Sequence, residues 1–369
     1  MRIKHIHFYV KDAKQWRDWF INCLGFQCEG SINSTNTVNG INSLDTLDTL
    51  TLVVASGSVR FLLSSPLKLT SPVAQYLNYH PSGVADVAIA VENLELIINR
   101  AVNYGTPILS PIQYGYNHNP LIKWAKISPW GKLNNSWSHT LIQDTEYLYS
   151  ETSQQVDKET QEFFIDHIVV NVPIGNLQNT VSWYEKILDF HPQQVFNIKT
   201  DNSGLYSQVM VSDNGEVKLP INQPASPNSQ IQEFIDLNKG PGIQHIALAS
   251  KNLVSTVSKL REKGLSFIST SSNYYPNLIK RPGFPLSDDE FKAIIQQEIL
   301  VEWQLFDSHQ GAEIPLLLQI FTKPIFEEPT FFFEFIERRF QAKGFGEGNF
   351  RALFEAIEAE QKMRGTLNS

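Results

Sequence analysis

The same strand-then-helix unit is written four times along this chain, and in two copies the punctuation matches to the residue. Val84 to Val91 is an apolar run of β type, and the helix after it starts at Asn93 as N-cap and stops at Gly105, with Leu94, Ile97, Ile98 and Ala101 inward. Ile243 to Ala249 and a helix from Asn252 to Gly264 repeat the pattern, with twelve residues from Asn to Gly each time. The other copies are Ile3 to Val10 with a helix whose apolar face is Trp16, Trp19, Phe20, Cys23 and Leu24, stopped by Gly25, and Phe163 to Val172 with a helix from Asn176 that turns Leu177, Val181, Tyr184 and Leu188 inward. Short β-type runs follow, such as Leu205 to Val211, Val217 to Ile221, Ile299 to Phe306 and Leu316 to Phe321. No such βαβββ module buries its hydrophobic face alone. The expectation is therefore an α+β fold of four βαβββ modules, paired in mostly antiparallel sheets into two open-barrel domains, each a cup around a central space.

The boundary between the pairs is set by SETSQQVDKETQE, Ser150 to Glu162, where Val156 is the single aliphatic side chain and little can be buried. This divides the chain into an N-terminal domain of residues 1–150, a linker of residues 151–162 and a C-terminal domain of residues 163–369. With 42% hydrophobic and 18% charged residues, each domain is expected to have its own core. A net charge of −8 with no Lys/Arg block argues against nucleic acid and anionic membrane as partners and favours a small molecule. No segment has the apolar length to cross a bilayer and the N-terminus, MRIKHIHFYV, lacks a signal-peptide core, so a cytoplasmic protein is expected. The two cysteines, Cys23 and Cys28, provide neither a disulfide framework nor a thiolate cluster, which leaves His and carboxylate to hold any metal.

One carboxylate stands out. In TFFFEFIER, Thr330 to Arg338, alternation puts Glu334 on the face of Phe332 and Ile336, within a run that otherwise reads as a buried strand. A buried carboxylate needs a partner. Arg338 at the strand's end is the nearest cation, and a bound metal ion is the alternative. His167 in FIDHIVV and His245 in GIQHIAL lie at corresponding places in their modules, and Ala247 and Ala249 leave room on the face of His245. A lone strand histidine is more often a hydrogen-bonded structural residue. Two imidazoles and one carboxylate, however, suit one face of iron(II), leaving coordination positions free for substrate and dioxygen. In the first half His5 matches His167, but Asp86 stands at the place of His245. With Leu141, Ile142 and Gln143 set against Leu317, Leu318 and Gln319, no counterpart of the Glu334 strand remains, so the first half reads as degenerate.

The second half carries LPINQPA (219–225), SQIQEF (229–234), GIQHIAL (242–248), LLLQIFTKP (316–324), FFFEFIER (331–338) and GFGEGNF (344–350). In these segments and their order it resembles the 4-hydroxyphenylpyruvate dioxygenase family, of the vicinal-oxygen-chelate (glyoxalase-like) fold. The resemblance implies His167, His245 and Glu334 as ligands of Fe(II). It also implies catalytic roles for Gln230, Gln319, Asn222 and Ser207, and a substrate pocket including Phe321, Phe332, Phe345, Asn349 and Phe350, with Gln244 placed behind His245 unless a bulge turns it inward. Ser229 and Gln232 form a capping-box pattern that would aim Gln230. GFGEGNF reads as a lid hinge, followed by a helix capped by Asn349 with Phe350, Leu353, Phe354 and Ile357 on one face. The family commonly has Asn-Glu-Pro where this chain has Asn222-Gln223-Pro224, and Tyr206 before Ser207 is a second departure; both bear on substrate preference.

What the resemblance implies for function is an enzyme whose partners are an α-keto acid and dioxygen, converting 4-hydroxyphenylpyruvate to homogentisate and carbon dioxide in tyrosine catabolism or quinone precursor supply. A homo-oligomer is expected. Hydroxymandelate synthase, acting on the same substrate at the benzylic carbon, and a non-catalytic ligand-binding module of the same fold are the competing readings.

Overall fold

In the computed structural model the described residues are 1–31, 48–116, 119–129, 137–143, 163–200, 203–304 and 313–365. The expected linker falls outside them, as does Phe306.

The strand-helix copies assemble into two eight-stranded curled sheets. The first contains β1 (Arg2–Tyr9), β2 (Gln27–Ser31), β3 (Thr49–Ser56), β4 (Val59–Pro66), β5 (Gly83–Ala90), β6 (Ile108–Tyr116), β7 (Asn119–Ile127) and β8 (Ser138–Gln143), in the order β2-β3-β4-β1-β5-β8-β7-β6. The second contains β9 (Phe164–Asn171), β10 (His191–Lys199), β11 (Gly204–Val211), β12 (Lys218–Pro224), β13 (Gly242–Ala249), β14 (Leu300–Trp303), β15 (Leu316–Phe321) and β16 (Phe332–Arg339), in the equivalent order β10-β11-β12-β9-β13-β16-β15-β14. The first strands of paired modules meet antiparallel, β1 with β5 and β9 with β13, and each also runs parallel to the last strand of its own module. The four βαβββ modules in two half-barrels are thus the observed architecture.

Local chemistry explains most helix ends. Asn93 Oδ1 accepts from Leu96 N at 2.9 Å and Asn252 Oδ1 from Ser255 N at 3.0 Å, so both asparagines cap the helices Leu94–Tyr104 and Leu253–Glu262 as their spacing predicts. Gly105 and Gly264, with φ of 79° and 87°, take the left-handed turn that closes each one. The helix Leu177–Leu188 differs: Asn176 makes no side-chain cap bond, and Gln223 Oε1 from β12 accepts from Gly175 N and Leu177 N instead, at 3.1 Å each. Ser229 Oγ accepts from Ile231 N, but Gln232 turns away to donate to Asp236 Oδ1, so the capping box is only half made.

Two expectations change. β8 is not the counterpart of β15. Ala88 pairs with Thr140 in the first sheet as Ala247 pairs with Glu334 in the second, which makes β8 the equivalent of β16 and Thr140 the equivalent of Glu334. The error arose because β6 and β7, mixed in polarity and interrupted by Pro111 and Gly115, gave no clear strand signal. Nor does each half keep a separate core. Phe8 meets Phe331 at 5.3 Å, and Phe61 stacks on Phe333 at 5.9 Å, within one cluster that joins both sheets through the faces opposite the cups. His139 on β8 crosses the same boundary, its Nε2 3.0 Å from the Tyr184 hydroxyl. Among the described residues no helix is long and apolar enough to cross a membrane.

Candidate metal centre and adjoining pocket

The concave face of the second sheet is organised by one row of pairings. Ala247, at the middle of β13, sits opposite His167 on β9 and opposite Glu334 on β16, while His245 lies two residues along β13, between Val169 and Phe332. A methyl group between the flanking side chains lets them converge above it. His167 Nε2 is 3.1 Å and His245 Nε2 3.5 Å from Glu334 Oε2, and one ligand atom from each residue falls within 4.8 Å of the others. All three are buried, Glu334 to 1% exposure.

The residues before the two histidines decide how the rings face. The β9/β13 register slips between Ile243 and His245 and again between Ala247 and Leu248, which leaves Gln244 and Asp166 as the extra residues of two bulges. Each bulged side chain reaches the following ring: His167 Nδ1 donates to Asp166 Oδ1 at 2.8 Å and His245 Nδ1 to Gln244 Oε1 at 3.3 Å. With Nδ1 carrying the proton, each Nε2 turns a lone pair toward Glu334. Gln244 is therefore beside His245 and lines the pocket, the bulge having turned it.

Two imidazole lone pairs and a carboxylate converging in a buried space call for positive charge. Burial would lower the pKa of His167, but the carboxylates of Glu334 and Asp166 outweigh it and raise the value above the ordinary one. Burial would raise that of Glu334, but the two imidazoles bring it down to about 2. His245, whose burial outweighs the attraction of Glu334, is lowered. A divalent cation meets the same demand with bonds to all three donors, so the site fits a metal ion of the kind that takes nitrogen and oxygen ligands. Arg338 does not serve as the partner of Glu334; its fork closes on Asp166.

Next to the ligands lies a small cavity of about 50 Å³. Ser207, Asn222 and Gln244 line it from the sheet and Gln230 from the start of the helix Gln230–Asn238, all buried, and Gln230 Oε1 has no hydrogen-bond partner. An unpaired buried amide oxygen beside a cavity marks a place for a donor from a ligand. Phe332 forms a wall and stacks on the His245 ring at 4.7 Å. Phe350, Leu353, Phe354 and Ile357 close the cavity from the helix Glu347–Arg364, on the face their spacing predicts. Gln223 and Tyr206 point off this face: Gln223 caps a helix and Tyr206 is exposed on the other side of β11.

Three expected pocket residues lie elsewhere, and a fourth only flanks it. Gln319 is spent within the protein, its Nε2 donating to Glu334 Oε1 at 2.8 Å and to the Phe345 carbonyl at 2.9 Å. Asn349 Nδ2 donates to Gln319 Oε1 and Asn349 Oδ1 accepts from the Tyr274 hydroxyl. Asn349 is thus inside the first turn and does not cap it; Gly346, at φ 82°, stands at the cap, where a Cβ would lie 1.8 Å from Gln319 Oε1. Phe345 packs edge-on against the His167 ring at 5.1 Å. Phe321 lies edge-on to Phe332 and His245. Sequence reasoning missed Asp166 and set Arg338 against Glu334 instead of Asp166, although Asp-His at the head of a strand is a readable sign of an oriented imidazole.

The first half carries the same frame without the full donor set: His5 is at the place of His167, but Thr140 is at that of Glu334. Its β1/β5 register slips at Lys4 and Ala85, the places of Asp166 and Gln244. Asp86, at the place of His245, accepts from Ser138 and lies 3.7 Å from Lys126 Nζ, so an ammonium group supplies the charge.

A model of the Glyoxalase/Bleomycin resistance protein/Dioxygenase superfamily matches residues 164–281. Relatives match nearly end to end. The 4-hydroxyphenylpyruvate dioxygenase of Yarrowia lipolytica is 36% identical over 98% of this chain and 93% of its own length. Those of Coccidioides posadasii and Dictyostelium discoideum are 34% and 32% identical, each over 98% of this chain and over 94% and 99% of their own. Among solved structures, a mutant of 4-hydroxymandelate synthase from Streptomyces coelicolor superposes with a TM-score of 0.79 at 24% identity, covering 98% of both chains. That likeness speaks for the fold alone.

Proposed function

Because the chain belongs to the 4-hydroxyphenylpyruvate dioxygenase family, we propose that it converts 4-hydroxyphenylpyruvate and dioxygen to homogentisate and carbon dioxide. The observation that carries the reading is the convergence of His167, His245 and Glu334 beside a small cavity lined by Gln230, whose side-chain oxygen is unpaired. In this reading the three residues hold iron(II), which supplies open coordination positions for the keto acid and dioxygen. The keto acid itself provides the reducing electrons, so no organic cofactor is required.

The protein's share is orientation and dryness. Ser207, Asn222, Gln230 and Gln244 offer neutral hydrogen-bonding groups to the polar ends of the substrate, and Phe332 and Phe350 offer aromatic walls to its ring. The cavity is far below the roughly 300 Å³ of an ordinary ligand pocket. Entry of substrate therefore requires the C-terminal helix to shift, and its return excludes water. Gln319 and Asn349 act behind the ligands, holding Glu334 against the helix start.

The test is an assay of dioxygen uptake with 4-hydroxyphenylpyruvate under added iron(II), with products identified. Homogentisate is expected. Hydroxymandelate in its place would move the chain to the benzylic chemistry, and no iron-dependent uptake would leave a binding module.

A further inference from the structure

The turn before the C-terminal helix is tied to the metal centre from both sides. Gln319 joins Glu334 to the Phe345 carbonyl, as described. On the other side stands Arg338, on the same strand face as Glu334. Its Nε and Nη2 donate to Asp166 Oδ2 and Oδ1 at 2.7 and 2.8 Å, a bidentate grip on the carboxylate that orients His167. Its Nη1 donates to the carbonyl oxygens of Gly344 at 2.7 Å and Ala342 at 3.3 Å. One guanidinium therefore holds a ligand's orienting group with two nitrogens and the turn with the third.

We propose that Arg338 is a positioning residue that makes the metal centre and the turn 342–346 a single unit, acting on His167 through Asp166. Metal binding fixes His167, hence Asp166 and Arg338, hence the carbonyls of the turn. By reciprocity, a turn displaced when the helix shifts loosens the grip on His167. The guanidinium is the residue type for this task, because its planar fork fixes direction as well as charge, which an ammonium group does not.

The experiment titrates metal-free protein with cobalt(II) and follows amide hydrogen exchange at residues 342–349 with and without the metal, for the parent chain, Arg338→Gln, Arg338→Lys, Asp166→Asn and the double variant Asp166→Asn/Arg338→Gln. Loss of such an outer partner is expected to weaken metal binding about 10- to 100-fold. Arg338→Gln and Asp166→Asn should each show it, and the double variant should be no weaker than the weaker single, because both act along one line. Metal should slow exchange at 342–346 in the parent and not in Arg338→Gln. Arg338→Lys should recover only part of either effect, and it carries the comparison if Arg338→Gln does not fold. Metal affinity within about twofold of the parent, additive losses in the double variant, or parent exchange that ignores the metal would each overturn the proposal. The inference rests on the metal centre and not on the dioxygenase reaction: a parent chain that binds no cobalt(II) rejects the centre, whereas parent binding equalled by Arg338→Gln rejects the strut alone.

Discussion

His167 and Glu334 sit on strands that are not hydrogen-bonded to each other, yet their ligand atoms lie 3.1 Å apart because both pair with Ala247 on the strand between them. The methyl group of Ala247 is the floor of the site. Ala247→Val puts a branched side chain between the two donors and should abolish metal binding, at a cost of about 1–3 kcal/mol in stability from overpacking. Metal content and a denaturant titration check it; a folded variant that still holds metal would mean the ligands do not meet over this residue.

The two matched histidines separate the halves. His167→Ala should lose bound iron and homogentisate formation. His5→Ala should keep both and lose no more than about 1 kcal/mol, because its neighbour Asp86 is engaged by Ser138 and Lys126. Iron content and product are measured for both variants under the same iron(II) supply. The reverse result would put the active site in the first half.

Ending the chain after Gly346 removes Phe350, Leu353, Phe354 and Ile357 from the cavity and Asn349 from Gln319. All three ligands precede the cut. The shortened protein should fold and bind metal, but its dioxygen uptake should be uncoupled from product. Fully coupled turnover would remove the water-excluding role of the helix.

How much of this was legible in the sequence depends on what leaves a trace in composition. The helix caps at Asn93 and Asn252, the Glu in an aromatic strand and the small residues after His245 are local signals, and each led to the right element. The bulges at Asp166 and Gln244 are not local, since a register slip exists only between two strands. The burial of Gln319 was hidden for a similar reason: an amide among apolar residues reads alike whether it meets a substrate or a neighbouring carboxylate. The equivalence of β8 with β16 needed strand pairing, because β6 and β7, mixed in polarity, lacked the alternation that marks a half-buried strand.

Acid should act through a residue remote from the metal. His139 is fully buried; its Nδ1 donates to the Val87 carbonyl at 3.0 Å, so its Nε2 accepts from the Tyr184 hydroxyl. Burial, only partly opposed by the Val87 bond, lowers its pKa from 6.5 to about 4. Between those values the unfolded chain takes up a proton that the native one refuses. Stability is thus full above pH 6.5 and falls as pH drops toward 4, by up to roughly 3 kcal/mol. Denaturant titrations across this range on the metal-free protein, against His139→Gln, check the sign: the variant should lose less over the window, and an equal loss would place the titration elsewhere.

Gln223→Ala should cost about 1 kcal/mol by uncapping the helix Leu177–Leu188 while leaving turnover intact. A changed substrate preference would show that this position reaches the pocket after all.

The two bulges of the first sheet, at Lys4 and Ala85, kink its strands as Asp166 and Gln244 kink those of the second, although neither side chain there can accept from an imidazole. The frame is thus common to both halves, whereas the groups that orient an imidazole belong to the second. In the first sheet His5 stands at the place of His167, and Asp86→His with Thr140→Glu would complete the three donor positions there, once Lys126 had surrendered its place to a metal.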